Sequence, residues 1–332
     1  MPASSTASNA KITAFGSYVP QKKLTNRDLE KLVDTSDEWI VQRTGIHERR
    51  IAEEHEFTSH LCIAAVQNLM NRYEAEIKDV DYIIVATSTP DTIFPSMAAR
   101  VQGHFGISNC GAVDIQAACA GFVNGIQLAN GLLLSGAFRK CLVIAADTIS
   151  KITDYSDRTT CILFGDGAGA MLLEAAAEGS GNIAAVYANT DGEGSHHVYC
   201  SNLTETIGEY RITNNGKLVQ NGREVYRWAV SQVSASIIKL LDDCGLAASD
   251  IDWFVPHSAN LRIVQAICER TGFTMEQTLT SMQYYGNTSA ASIPLAIDLA
   301  LQVGKLRSGQ RLLLAGFGGG LTQAGAIVEW HL

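Results

Sequence analysis

No run of basic residues interrupts this 332-residue chain, and 34 acidic against 25 basic side chains leave a formal charge of −9. Such a surface repels a nucleic-acid backbone, so nucleic acid is not an expected partner. The eight cysteines (Cys62, Cys110, Cys119, Cys141, Cys161, Cys200, Cys244 and Cys268) are dispersed, with no CxxC pair and no dense framework. That lack argues against a disulfide scaffold and predicts reduced thiols in a cytoplasm. His196, His197 and Cys200 have no second ligand pair at finger-like spacing, so no metal is expected. The opening MPASSTASNAKIT holds no apolar core of the kind a secretory signal needs, and export is not expected. Charge is also missing from Ile115 to Phe138, but Gln116, Asn124, Gln127 and Asn130 interrupt that stretch. The expectation is a buried helix rather than a membrane span.

A composition of 46% hydrophobic and 18% charged residues belongs to a folded chain long enough to bury a substantial core. Short β-rich runs (YIIVATS from Tyr82, GAVDIQ from Gly111, CLVIAAD from Cys141, AGAMLLE from Ala168) alternate with stretches of helical spacing, MAARVQGHFG and GFVNGIQLANGLLLSG. This alternation predicts an α/β fold. The later half repeats the order: YIIVATST matches DWFVPHSA, the segment around Cys119 matches YYGNTSAAS, KCLVIAADT matches QRLLLAGFG, and GDGAGAMLLE matches LTQAGAIVEW. The chain therefore reads as two related halves, residues 1–178 and 219–332, joined by a Gly-, Asn-, Ser- and Thr-rich segment at 179–218. Packed halves bring equivalent loop ends together, where a shared site can form.

Three polar groups fall at strand ends or helix starts in this alignment: Cys119, His257 and Asn287. A thiol, an imidazole and an amide suit thioester chemistry, one attacking a carbonyl and two donating hydrogen bonds to the oxyanion that follows. Cys119 precedes the helical stretch AGFVNGIQLANGLL, whose free N–H groups are expected to stabilise a thiolate. Taken alone, Cys119 reads as a small core residue, His257 as a surface or capping residue, and GNTS as a turn. Gly318, Gly319 and Gly320 permit close backbone approach, or equally a hairpin turn. FGDGAGA runs into a strand rather than a helix, which removes a dinucleotide fingerprint.

ACAGF, VPHSANLR, YGNTSAASIPLA and GFGGG, together with TSDEWIVQRTGIHERR and DRTTCILFGDGAGA, resemble β-ketoacyl-acyl carrier protein synthase III over essentially the entire chain. The resemblance implies a thiolase fold, duplicated βαβαβαββ halves forming a five-layered α-β-α-β-α core, in a homodimer without cofactor. It implies a Cys119–His257–Asn287 triad and an oxyanion held by the backbone N–H groups of Cys119 and Gly319. Cys119 would take the acyl group of a primer acyl-coenzyme A, and malonyl-acyl carrier protein would then lose carbon dioxide and condense with it to a 3-ketoacyl product. Trp39 and Arg43 match residues that clasp adenine; Arg158, Asn260 and Arg262 match the coenzyme A channel. Phe94, reaching across the dimer, and Phe317 would shape the primer pocket. The carrier is acidic, so Arg262 and Arg270, two turns apart on one expected helix, with Arg227, are the candidate docking residues. Ser258 stands where the family often has Gln, Leu321 where it has an aromatic, and Gln323 where Trp is frequent. Rival readings are a starter-loading ketosynthase or acyltransferase of polyketide assembly, a non-catalytic acyl-binding protein, and a cysteine hydrolase. Hydroxymethylglutaryl-coenzyme A synthase would want a glutamate base that no motif places.

Overall fold

The computed structural model describes residues 8–177 and 179–332. The first seven residues of the opening segment and the boundary drawn at residue 178 lie outside the described residues. The principal strands are β1 (Ala10–Tyr18), β2 (Tyr82–Ala86), β3 (Gly111–Ile115), β4 (Lys140–Thr148), β5 (Asp166–Ala175), β6 (Ile183–Thr190), β7 (Trp253–Pro256), β8 (Gln310–Gly318) and β9 (Thr322–Trp330). The helices that matter to the site are α1 (Asp37–Thr44), α2 (Thr58–Tyr73), α3 (Met97–Phe105), α4 (Gly121–Leu134), α5 (Gly222–Trp228), α6 (Ser234–Cys244), α7 (Leu261–Thr271) and α8 (Ser292–Gln302).

One sheet runs β1-β5-β4-β2-β3, with β2 parallel to both its neighbours and β5 antiparallel to both of its own. The second runs β6-β9-β8-β7, antiparallel except for the β8–β7 pair. Laid together, the two sheets share strand order and direction. The second half has no full partner for β3; there the pairing shrinks to a single parallel bridge between Phe254 and Thr278. The repeat read in the sequence is thus visible in topology. Strand β6, however, comes from the 179–218 stretch and closes the second sheet, so that stretch is not solely a connection. Its exposed second half hides it from pattern reading.

Both sheets are covered on both faces, which is why β4 is buried at every position and reads as one apolar run rather than an alternating one. Leu142 and Ile144 face one way, against Leu61, Ala65 and Leu69 of α2. Val143 faces the other, with Phe122 and Ile126 of α4 and Ile293 and Ile297 of α8. Those two helices also contact Leu312, Leu314 and Val328 of the second sheet. Beyond that sheet, Leu313 and Ile327 meet Ile237 of α6 and Ile263 and Ile267 of α7. The result is five layers, α-β-α-β-α, with α4 and α8 in the middle. The uncharged stretch expected to be a buried helix is α4, and no helix among the described residues is long and apolar enough to cross a membrane.

Candidate active site

The two central helices begin alike. Cys119 lies in the short turn Ala118–Ala120 that leads into α4, and Ser289 opens the matching turn Ser289–Ala291 before α8. Each turn contains a non-glycine residue at positive φ, Ala118 at 42° and Ser289 at 52°. Such a conformation costs on the order of 1–3 kcal/mol and persists only where the surroundings impose it. The turns lie against one another: a Cβ on Gly121 would come within 3.4 Å of Ala290 Cβ. Strand β8 closes in from the second sheet. A Cβ on Gly318 would lie 2.9 Å from the Cys119 nitrogen and 3.0 Å from its sulfur, so only glycine fits beside the thiol. The glycine run is also the hairpin between β8 and β9, so both readings of it hold.

His257 follows β7, held by a hydrogen bond from its backbone N–H to the Ala315 carbonyl at 2.8 Å. Its ring meets Phe317 edge to face at 5.3 Å, and Nδ1 lies 2.7 Å from Ser292 Oγ. Burial pushes its pKa down to about 3, so the imidazole is neutral at physiological pH. Asn287 is fixed by the preceding motif: its N–H donates to Leu163 O at 2.8 Å, and its carbonyl accepts the Gly165 N–H at 3.0 Å. A Cβ on Gly165 would approach Tyr285 O to 2.1 Å, which accounts for the glycine in FGDG. The side-chain Oδ1 of Asn287 accepts the Ser289 N–H at 2.9 Å, leaving the Nδ2 donors for other partners.

Cys119, His257 and Asn287 line one cavity of about 360 Å³, together with Ser289, Phe317, Gly319 and Asn260. Cys119 is half-buried there, and its thiol donates to Ser289 Oγ at 3.6 Å. Burial pushes this thiol up to about 12; the Ser289 hydroxyl and the residue's own N–H pull down, while the charge of Asp147 pushes further up. A helix N-terminus is worth up to about 2 kcal/mol, or roughly 1.5 pKa units. That is too little to ionise the sulfur at neutral pH, so the thiolate expected from the helix alone is corrected to a resting thiol.

The other expected residues fall into three groups. Trp39, on α1, has the Arg43 guanidinium 5.3 Å and that of Arg158 5.6 Å from its ring centroid, so these three residues meet. Asn260 caps α7 by accepting the Ile263 N–H at 3.1 Å and also reaches the cavity. Phe317 lines the cavity, whereas Phe94, 83% exposed, does not line the cavity of its own chain. Arg262 and Arg270 are exposed at opposite ends of α7, two turns apart as the spacing predicted. Arg270 and Arg227 border a second, open cavity whose wall also carries Asp191, Glu193 and Glu224, with Arg227 bound to Glu224 at 3.2 Å. Arg262 is outside that lining, so the three arginines are not one uniformly basic face. His196 stacks on Tyr210 with centroids 3.7 Å apart, and no group of three metal-ligating side chains occurs among the described residues.

Sequence reasoning missed Asp147 and Ser292 and left Ser289 within the GNTS turn. Asp147 is the one charge in the apolar run CLVIAADT, a signal that could have been followed.

Comparison with known proteins identifies relatives along nearly the whole chain. Residues 113–192 match the family 3-oxoacyl-[acyl-carrier-protein (ACP)] synthase III, and residues 241–330 match its C-terminal family. The chain is 57% identical to β-ketoacyl-[acyl-carrier-protein] synthase III 2 of Bacillus subtilis (strain 168), over 98% of this chain and 100% of that protein. It is 55% identical to the protein of the same name from Halalkalibacterium halodurans, over 97% of each. Among solved structures, β-ketoacyl-[acyl carrier protein] synthase III from Thermus thermophilus superposes with a TM-score of 0.92 at 42% identity, covering 96% of this chain and 99% of that one.

Proposed function

The chain belongs to the β-ketoacyl-acyl carrier protein synthase III family, and from that premise we propose how its residues carry out the condensation that begins fatty acid synthesis. Its fold is the thiolase fold. The observation that carries the reading is the single cavity holding Cys119, His257 and Asn287 beneath the glycine-bearing end of β8.

Cys119 attacks the thioester of a short acyl-coenzyme A, and the N–H groups of Cys119 and Gly319 receive the oxyanion as coenzyme A leaves. Gly318, in contact with the thiol, lets β8 bring the Gly319 amide close. Malonyl-acyl carrier protein then loses carbon dioxide, and the thioester oxygen takes up enolate charge between His257 and Asn287. Both are prepared as donors. With the Ser292 hydroxyl, 2.7 Å from Nδ1, donating to His257, the imidazole carries its proton on Nε2 and presents it to the enolate. Ser289 occupies Oδ1 of Asn287 and so turns the amide donors to the enolate. A neutral ring suffices, because decarboxylation supplies the carbanion without a base. Trp39 with Arg43 and Arg158 offers a stacking face and two cations to the adenine and phosphates of coenzyme A. The carrier protein docks through Arg262, exposed at the start of α7, and Arg270 and Arg227 are a separate, secondary contact at the open cavity. The active assembly is a homodimer in which Phe94 completes the partner's primer pocket.

The test is to incubate the protein with acetyl-, isobutyryl- and longer acyl-coenzyme A, with and without malonyl-acyl carrier protein, and to weigh the products. A 3-ketoacyl-carrier product is expected. Free acid alone would select a hydrolase, and unreacted acyl held by the protein would select a binding role.

A further inference from the structure

The resting thiol leaves a question of protons, because forming the Cys119 thioester releases one and the departing coenzyme A thiolate needs one. His257 is poorly suited to hold it, since burial keeps its ring neutral down to about pH 3. The hydrogen bond given by the thiol itself goes elsewhere, to Ser289 Oγ. Beside Ser289 lies Asp147, at the end of β4 with no exposed surface; the Ser289 side chain lowers its affinity for a proton, and its Oδ2 accepts the N–H of the next residue, Ala290. Asp147 is built in as an anion acceptor. Oδ1 takes the Ser88 N–H at 2.7 Å, the Thr89 hydroxyl at 3.1 Å and the Thr87 hydroxyl at 3.2 Å, and Oδ2 takes the Ala290 N–H at 3.3 Å. No cation stands among these partners, and burial raises its affinity for a proton above that of an ordinary carboxylate. The titratable groups that feel its charge are the thiols of Cys119 and, on α2, Cys62.

The duplication supplies an independent argument. Ala118 and Ser289 occupy equivalent positions, so Ala290 stands where Cys119 stands in the other half. In the Cys119 half an N–H at this point awaits a transient oxyanion; in the other half the same N–H is met permanently by the Asp147 carboxylate. The second half carries Ala290 where the first carries Cys119, and its N–H holds the Asp147 carboxyl one serine away from the thiol.

We propose that Ser289 and Asp147 are the proton route of the thiol: as Cys119 sulfur bonds to the acyl carbon, its hydrogen passes to Ser289 Oγ while the Ser289 hydrogen passes to Asp147. When the carbon–sulfur bond to coenzyme A breaks, the same path returns the proton to the leaving sulfur. Thiol and acyl thioester go in, acyl-enzyme and free coenzyme A thiol come out, and Asp147 ends as it began. This rests on Cys119 being the acylated residue. Asp147, acting through Ser289, is a positioning residue, and its charge is what makes the hydroxyl an acceptor.

The experiment is single-turnover acylation by acetyl-coenzyme A, without carrier protein, from pH 6 to 9, on wild type, Ser289→Ala, Ser289→Thr and Asp147→Asn. Wild-type acylation on Cys119, mapped first, tests the functional reading separately. Ser289→Ala and Asp147→Asn are expected to lose about a hundredfold in rate at pH 7 and to regain it about tenfold per pH unit as hydroxide takes over. Wild type is expected to acylate at a rate that changes little from pH 6 to 9, and Ser289→Thr is expected to restore both that rate and that flat profile. The Ser289 pair decides the matter should Asp147→Asn fail to fold. A Ser289→Ala enzyme with the wild-type pH profile, or a threonine variant no better than alanine, would overturn the proposal.

Discussion

At the scale of the residue, His257 and Asn287 are proposed to act on the enolate and not on the acyl transfer. His257→Ala and Asn287→Ala are expected to keep acylation of Cys119 while losing condensation by about a hundredfold or more, the usual cost of one such donor. Separate assays of labelled acyl-enzyme and of ketoacyl product check this, and unimpaired condensation in either variant would remove its assigned role. His257 also bears on stability. Its pKa of about 3 in the folded chain lies below the unfolded value near 6.5, so on acidification the unfolded state binds a proton that the folded state refuses. Its contribution is complete above pH 6.5 and is lost as pH falls toward 3, amounting to about 2 kcal/mol by pH 5. Asp166, raised to about 6 by burial, acts in the opposite sense over the same window. Comparing denaturant midpoints of wild type and His257→Gln at pH 5 and pH 7 cancels Asp166 and isolates the histidine. The wild type should lose more stability than the variant; equal losses would mean that the ring is not held neutral.

At the scale of the element, the site depends on how closely β8 approaches the turn before α4. Because a Cβ on Gly318 would overlap the Cys119 nitrogen and sulfur, Gly318→Ala must push strand and turn apart by several tenths of an ångström. Acyl transfer should fall by at least tenfold with the fold retained, read by acyl-enzyme formation beside circular dichroism; full activity would show that this approach does not matter. The elements themselves were largely legible. The apolar runs that became β2, β4, β8 and β9 announce strands buried on both faces, and the internal match of YIIVATST with DWFVPHSA paired β2 with β7 correctly. What pattern could not show was β6, half exposed within a polar stretch, or the loss of a full fifth strand opposite β3. Nor could it show the contacts between Cys119 and Ser289, 170 residues apart, or between Ala290 and Asp147, 143 apart. Such contacts leave no trace in spacing. The chemistry of Cys119 was misjudged for a related reason: a helix start is visible in a sequence, but the burial that outweighs it is not.

At the scale of the whole molecule, adjacent Ile93 and Phe94 are 72% and 83% exposed at one loop tip, more apolar surface than an isolated chain would leave there. The proposed dimer covers it. Sedimentation should give twice the 35.7 kDa chain mass. Phe94→Ala should shift the primer preference toward longer acyl groups in the product spectrum while the assembly persists. A monomer with an unchanged primer profile would contradict the proposed role of Phe94. The duplication gives the larger logic: two like halves place two helix N-termini side by side, one bearing the thiol and the other the serine whose hydroxyl accepts the thiol's hydrogen bond.

The most direct measurement is to acylate the intact protein with radiolabelled acetyl-coenzyme A and locate the label by peptide mass spectrometry. Cys200 lines the same cavity and is a fair internal competitor. The label should appear once, on the peptide containing Cys119, and vanish in Cys119→Ser. Label on Cys200, or persisting in that variant, would contradict the assignment.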